Sequence, residues 1–469
     1  MPSLPSPLPP SLWSDPARRV ATAIALIAVA GIGFGAGYLV FDDSGDGEAP
    51  GPTAVILDPA QQQSGGAAGF PASATRNTTR VGGVDAITDA ASIALATYPT
   101  QGGVGATSAV TLAPADNWQQ ALAATPLVAD PIGTPILLST AGAVPQPTSD
   151  ALTALSPRGL DEANGTQAYV IGDVAVPDGL EVSPVAGTDP ADIADALDGE
   201  RAKITGEKDP AHLLVVSSTD PALAMPAAAW AARSGDPILF ADGDTIPAGT
   251  MNVVKRHPDT PVFVLGPESA ISDKALGKLG DATRVGAEDP VDNAIAFARF
   301  TSGDFGWNIN DPGHGFAIAN IDRPLDAPAA APLAATGGSP GPLLLTDEAA
   351  SVPPALESFL SDTQPGFEDD PTRAVFNHVW IIGDSEAISV PFQAQVDQLT
   401  KLAPVSGSTT PPGVTLPGAG TGGSTDTTPT TTIPDLGALG GDTTTGTGST
   451  TVPETSPPDA SGGRSGESP

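Results

Sequence analysis

The sequence contains no cysteine. That excludes disulfides, thiolate zinc sites, iron–sulfur clusters and a cysteine nucleophile. Histidine is nearly as scarce, with four in 469 residues and no i, i+4 pair, too few for a histidine-rich metal centre. No Walker loop, H-E-x-x-H or G-x-S-x-G element is present. Positive charge is short as well: 19 Lys and Arg stand against 54 Asp and Glu, a net charge of −35. Nucleic acid is therefore excluded as a partner, because its binding needs a basic face to release counterions. Aromatics make up only 4%, beside 54 Gly and 51 Pro, which assigns much of the chain to turns, linkers and tails. Yet the mean hydropathy is +0.03. An acidic chain with that average concentrates its apolar residues in a few segments.

One such segment is Val20 to Phe41, VATAIALIAVAGIGFGAGYLVF, without a charge. As a helix it spans about 33 Å, the thickness of a hydrocarbon core. Arg18 and Arg19 precede it, and Asp42 and Asp43 follow. The positive-inside rule then places residues 1–19 in the cytoplasm and everything after Phe41 outside. An apolar core this long, with no clear A-x-A site after it, predicts an uncleaved signal anchor at 20–41 rather than a cleaved leader. Gly31, Gly33, Gly35 and Gly37 form overlapping G-xxx-G pairs, read either as a helix contact face or as ordinary membrane-helix glycine. Residues 42–78 read as a flexible spacer. Residues 404–469, rich in Thr, Gly, Pro and Ser with Arg464 as the single basic residue, read as a disordered tail.

Between them the chain repeats itself three times. Arg80-Val81-Gly82-Gly83-Val84-Asp85 matches Arg284-Val285-Gly286-Ala287-Glu288-Asp289, with Pro184-Val185-Ala186-Gly187-Thr188-Asp189 between them. Each is followed by a helical pattern and an apolar run: AVTLAPAD to Asp116, LLVVSSTD to Asp220, FAIANID to Asp322. Second runs are PILLS, PILFA and PLLLT from Pro135, Pro237 and Pro342; third runs end at Gly172, Gly266 and Gly383. The repeats are set at 79–182, 183–281 and 282–403. Their strands are continuous apolar runs, the mark of a parallel sheet covered on both faces. Each unit is thus expected to be a small α/β layer with right-handed crossovers.

This pattern resembles the type 2 cell-wall-binding repeat family of Gram-positive and actinobacterial surface proteins. The family's unit opens with Arg-x-x-Gly-x-Asp-Arg-Tyr-x-Thr-Ala and continues through Asp-Ala-Leu-Ala-Ala, Pro-Ile-Leu-Leu and Ile-Gly-Gly. Here the opening Arg stands at Arg80 and Arg284 but is Pro184 in the middle repeat, and the Asp stands at Asp85, Asp189 and Asp289. The Arg-Tyr pair is replaced by Ala86-Ile87, Pro190-Ala191 and Pro290-Val291; the helix Asp stands only at Asp326, its equivalents being Gln120 and Ala224. The resemblance implies three tandem Rossmann-like or Toprim-like units in a pseudo-threefold arrangement. It also implies non-covalent attachment to anionic cell-wall polysaccharide, or a peptidoglycan-linked polymer, through clefts between units. No cofactor is implied.

Asp85, Asp189 and Asp289 read as helix caps, two of them with proline at the first helical position. Asp116, Asp220 and Asp322 follow equivalent strand ends. They read either as caps for the next helix or as a ring of ligand-facing carboxylates, one per unit, suited to a cation or a sugar hydroxyl. Arg80, Arg284 and Arg323 are the candidate cations at the opening and helix positions. Arg201, Lys203 and Lys208 form the densest basic stretch, with Lys255-Arg256-His257 next. These basic stretches are either solvated surface or the local groups an anionic polymer needs, since the repeats carry −8, −6 and −12 (counted over 79–182, 183–280 and 282–402). Divalent cations bridging acidic protein to acidic polymer are the other route. Gly383-Asp384-Ser385 superficially matches an esterase nucleophile block, but no histidine follows His378 to serve as its base. Asp42-x-Ser44-x-Asp46-Gly47 resembles the start of a calcium loop but has Thr53 where a bidentate Glu belongs. The sequence therefore predicts a non-catalytic, membrane-anchored envelope protein, with an extracytoplasmic receptor or scaffold as the alternative.

Overall fold

The computed structural model describes residues 73–99, 106–336, 340–368 and 371–405. The expected anchor at Val20–Phe41, the spacer up to residue 72 and the tail beyond residue 405 lie outside them. Among the described residues no helix is long and apolar enough to cross a membrane.

The first stretch contains β1 (Ser73–Ala74), β2 (Thr78–Val81), α1 (Ala86–Thr97), β3 (Val110–Pro114), α2 (Trp118–Ala123), a 3-10 turn (Thr125–Val128), β4 (Ile136–Ser139), α3 (Gln146–Leu155) and β5 (Ala168–Val170). The second contains β6 (Val182–Pro184), α4 (Pro190–Thr205), β7 (Leu213–Ser217), α5 (Pro221–Ala224), α6 (Ala227–Ser234), β8 (Ile238–Ala241), α7 (Ala248–Arg256), β9 (Val262–Leu265) and α8 (Asp273–Leu276). The third contains β10 (Thr283–Val285), α9 (Pro290–Arg299), β11 (Gly315–Asn320), α10 (Asp326–Thr336), β12 (Leu343–Thr346), α11 (Pro354–Asp362), β13 (Gly366–Phe367), β14 (His378–Ile382), α12 (Val390–Leu399) and β15 (Ala403–Pro404).

The chain is α/β, with several parallel sheets. Every residue of β3, β4, β7, β8, β9, β11 and β12 is buried, as continuous apolar runs under two covered faces require. The opening helices start where the caps predict. Asp85 accepts from the Thr88 N–H at 2.8 Å, Asp189 from Ala191 N–H at 2.9 Å, and Asp289 from Val291 N–H at 2.8 Å. Each cap satisfies a donor that the helix itself leaves free.

The sheets do not coincide with the sequence repeats. Their orders are β4-β3-β5-β6, β8-β7-β9-β10 and β12-β11-β14-β2-β1. The opening strand of each repeat is thus the fourth strand of the preceding sheet. β6 pairs with β5, β10 with β9, and β2 with β14, all parallel. The last pairing joins the beginning of the described chain to its end, so the exchange is cyclic. Each opening helix then returns to its own sheet: α1 packs on β4, α4 on β8 and α9 on β12. The alanine-rich helices meet one another, with α10 packed on α6 and α6 on the 3-10 turn. Alanine lets such helices approach closely, and α10 is buried from Asp326 through Ala334.

Candidate functional site

In an open α/β sheet, ligands bind beyond the C-terminal strand ends, where the chain leaves the first strand on one side and the third on the other. Here those places are the ends of β3 and β5, of β7 and β9, and of β11 and β14. Each is filled by the next repeat. At the first, the Gln120 side chain lies against Gly172 and donates to the Thr188 carbonyl at 2.8 Å. At the second, the Asn293 amide donates to the Leu223 carbonyl at 3.1 Å, and the Gly266 N–H donates to Val285. At the third, Gly383 N–H donates to Val81 and Asp384 N–H to Gly83. The edge that usually receives a ligand has become the joint between units.

Strand register fixes which residues are equivalent. Pro114, Ser217 and Asn320 stand opposite Ser139, Ala241 and Thr346 on the neighbouring strand. Counted from these positions, Asp116 matches Thr219 and Asp322, whereas Asp220 matches Asn117 and Arg323. The three aspartates are therefore not one equivalent set. Asp116 and Asp322 are exposed, while Asp220 caps α5 and accepts from Leu223 N–H at 3.3 Å. The same count pairs Asp326 with Gln120 and Leu223, not Ala224.

The basic candidates separate into two groups. Arg80 is 2% exposed. Its guanidinium donates to the carbonyls of Gly383 at 3.0 Å and Asp384 at 2.7 Å, and to Gln393 at 3.1 Å. Burial lowers it to about 10, against the opposing pull of Asp384 and Asp89. Arg284 does the same at the second joint, donating to Gly266 and Ile271 carbonyls and to Asp273. Both arginines face inward, onto the turn after the preceding unit's third strand. Arg323 is also turned into a joint, as described below.

Arg201 and Lys208 line one narrow crevice with Asp198, Glu207 and Asp209. Its volume of about 30 Å³ admits one or two waters and no sugar ring. Lys203 lies instead on a surface groove formed by β6 and α4. Two adjoining depressions there, of about 330 and 570 Å³, share Ser183, Pro184, Glu200 and Lys203. Glu162 and Glu181 flank one end, Asp192, Asp195 and Arg256 the other. The groove's cations are already paired: Lys203 with Glu200 at 3.0 Å, and Arg256 with Asp195 and Asp198.

Sequence reasoning missed the charged group at the third joint. Asp89 of α1 and Asp326 of α10 are both 0% exposed. Arg323 binds both, its Nε donating to Asp326 at 2.7 Å and its Nη2 to Asp89. Gly83 N–H also donates to Asp89. Burial holds the Asp89 carboxyl well above its usual range, with the Asp326 charge adding to it and Arg323 opposing. Burial raises Asp326 as well. The sequence signal for it was Asp326 as a retained motif position; Asp89 carries no motif of its own. The middle repeat adds two more buried networks, His212 and Trp230 on Asp236, and His257 between Asp198 and Asp209. Among the described residues no group of three or more His, Cys, Asp or Glu is placed to hold a metal ion. Ser385 is exposed in the turn after β14.

The fold is similar to that of Cwp8 from Clostridium difficile. That likeness has a TM-score of 0.53 at 19% identity and covers 70% of this chain and 52% of the other. Cwp6 from the same organism is similar too, with a TM-score of 0.52 at 19% identity, over 69% of this chain and 48% of that one. The chain thus spans about half the length of these solved proteins. No family model and no curated protein matches the sequence.

Proposed function

We propose that the chain is a non-catalytic, membrane-anchored cell-envelope protein whose three α/β units, in a pseudo-threefold arrangement, attach non-covalently to cell-wall polymer. The observation that carries this reading is the fold shared with Cwp8 and Cwp6, which are cell wall proteins. The β6–α4 groove, with depressions of about 330 and 570 Å³, has room for a polymer segment. Its acidic lining favours attachment through sugar hydroxyls or bridging divalent cations over direct capture of polymer anions. Val20–Phe41 would hold the protein in the membrane, with its N-terminus in the cytoplasm and its bulk facing the wall.

The test is retention of the full chain on purified wall at low and moderate salt, with and without a divalent-cation chelator. Retention that the chelator removes supports cation bridging; no retention at either salt refutes wall attachment. A second reading, a receptor or scaffold for a protein partner, is favoured by the internal pairing of the groove's cations. It is the better reading if crosslinking yields one stoichiometric protein partner without wall retention. Ser385→Ala disposes of the hydrolase reading if any hydrolytic signal of the protein is unchanged by it.

A further inference from the structure

We propose that the third joint is a proton-dependent clasp: Asp89 and Asp326 share one proton against Arg323, and its loss releases α1 from α10 and β2 from the third sheet. The charge count comes first. Two carboxylates without solvent exposure face one guanidinium. With both ionised, the group holds a net negative charge away from water, which is costly and is relieved by keeping a proton.

The other joints show what a stable version of this contact looks like. The fourth residue after the cap is Asp89, Ile193 or Asn293 in the three opening helices, and the register-equivalent residues of the preceding unit are Asp326, Gln120 and Leu223. Asn293 Oδ1 accepts from Ala287 N–H at 3.3 Å, as Asp89 Oδ1 accepts from Gly83 N–H. The other arm of Asn293 is a donor, to the Leu223 carbonyl. Asp89 stands where the second joint uses a neutral amide, and a protonated Asp is the closest acid analogue of that amide. The first and second joints carry no titratable pair at this place, so they serve as internal controls.

The surrounding charges do not supply a second counter-ion. Arg80 from β2 lies near Asp89 but is committed to the carbonyls of Gly383 and Asp384. Asp384, from the turn after β14, adds negative charge beside Asp326 and Arg323. Arg233 of α6, the helix packed along α10, is turned to the Trp307 ring. Asp150 of α3, packed on α1, is held at the surface by Gln146.

The sign follows from linkage. The folded carboxyl binds its proton more tightly than an unfolded Asp near 3.9. Stability of the joint is therefore complete below that value and declines as pH rises towards the raised folded value. One proton lost on opening makes the opening constant rise up to about tenfold per pH unit within that window.

Amide hydrogen exchange of the full chain across pH 4–9, corrected for intrinsic exchange rates, reads this directly. The α1 and β2 amides should show an opening constant rising towards tenfold per pH unit, while those of α9 and β10 at the second joint stay flat. Asp89→Asn should abolish the slope. Asp326→Asn should do so as well and stands in should the first variant fail to fold. No slope in the native chain, equal slopes at both joints, or a slope that survives both variants overturns the clasp.

Discussion

Removing the Arg80 side chain separates two roles that a motif arginine can have. Arg80 is 2% exposed, and its guanidinium gives three good hydrogen bonds, to Gly383, Asp384 and Gln393. Bonds to a charged donor are worth about 1.5–3 kcal/mol each, and acceptors left bare in the interior add to the loss. They share one anchor and do not add fully, and water will re-solvate part of the turn. Arg80→Ala should therefore destabilise the protein by about 3–5 kcal/mol. Arg284 makes comparable bonds, but its side chain is 22% exposed, so Arg284→Ala should cost about 1–2 kcal/mol. The assay is chemical denaturation of the full chain followed by tryptophan fluorescence, since Trp380 of β14 stands opposite Thr79 of β2. Wall retention is measured in parallel, well below the unfolding transition. A loss under about 0.5 kcal/mol for Arg80→Ala, within the range of ordinary surface substitutions, would refute a structural role for Arg80 at the turn after β14. So would abolished wall retention at unchanged stability, which would make Arg80 a ligand contact.

Two further outcomes follow from single positions. Gly286 has φ +132°, and a Cβ there would lie 2.1 Å from Asn293 Oδ1 and 2.9 Å from the Gly266 nitrogen; Gly286→Ala should cost about 3 kcal/mol. Gly280, at φ +85° with open space around it, should cost only about 1 kcal/mol as alanine, and thermal midpoints compare the two. Burial lowers the His378 pKa, so the folded protein binds fewer protons than the unfolded one below about 6.5. Stability should be fully present above that pH and fall as pH drops through the window, opposite in sign to the clasp. His378→Phe should flatten that limb in a pH series of denaturation midpoints.

What the sequence disclosed was local. LLVVS and PILLS reach their buried strands because an unbroken apolar run has few other ways to hide. Asp189-Pro190 and Asp289-Pro290 start helices because cap and proline act within one turn. The exchanged strands were not readable in this way. TTRV, VSP and TRV are short and polar, and only a partner strand far along the chain makes them strands at all. Asp220 was placed with Asp116 because both follow an apolar run; a one-residue difference in register, invisible in the runs, moves it to a cap. Whether Arg80 faces a ligand or a carbonyl depends on the turn after β14, 303 residues away. The Asp89 cluster needed α10, since Arg323 is 234 residues distant.

The cyclic exchange also sets an order of events during synthesis. β6 and β10 follow closely on the sheets they complete. β2 is made among the first strands, yet its partner β14 emerges some three hundred residues later, so the sheet it belongs to is the last to close. Contacts of such long range form late, because the loop entropy must be spent before they return anything. Until then β2 has only the two-residue β1 beside it and leaves its other edge unpaired, the kind of edge that invites association between nascent chains. Its sequence, Thr-Thr-Arg-Val, is far less apolar than Leu-Leu-Val-Val-Ser of β7. The polarity that hid this strand from pattern reading is what lets it wait in water.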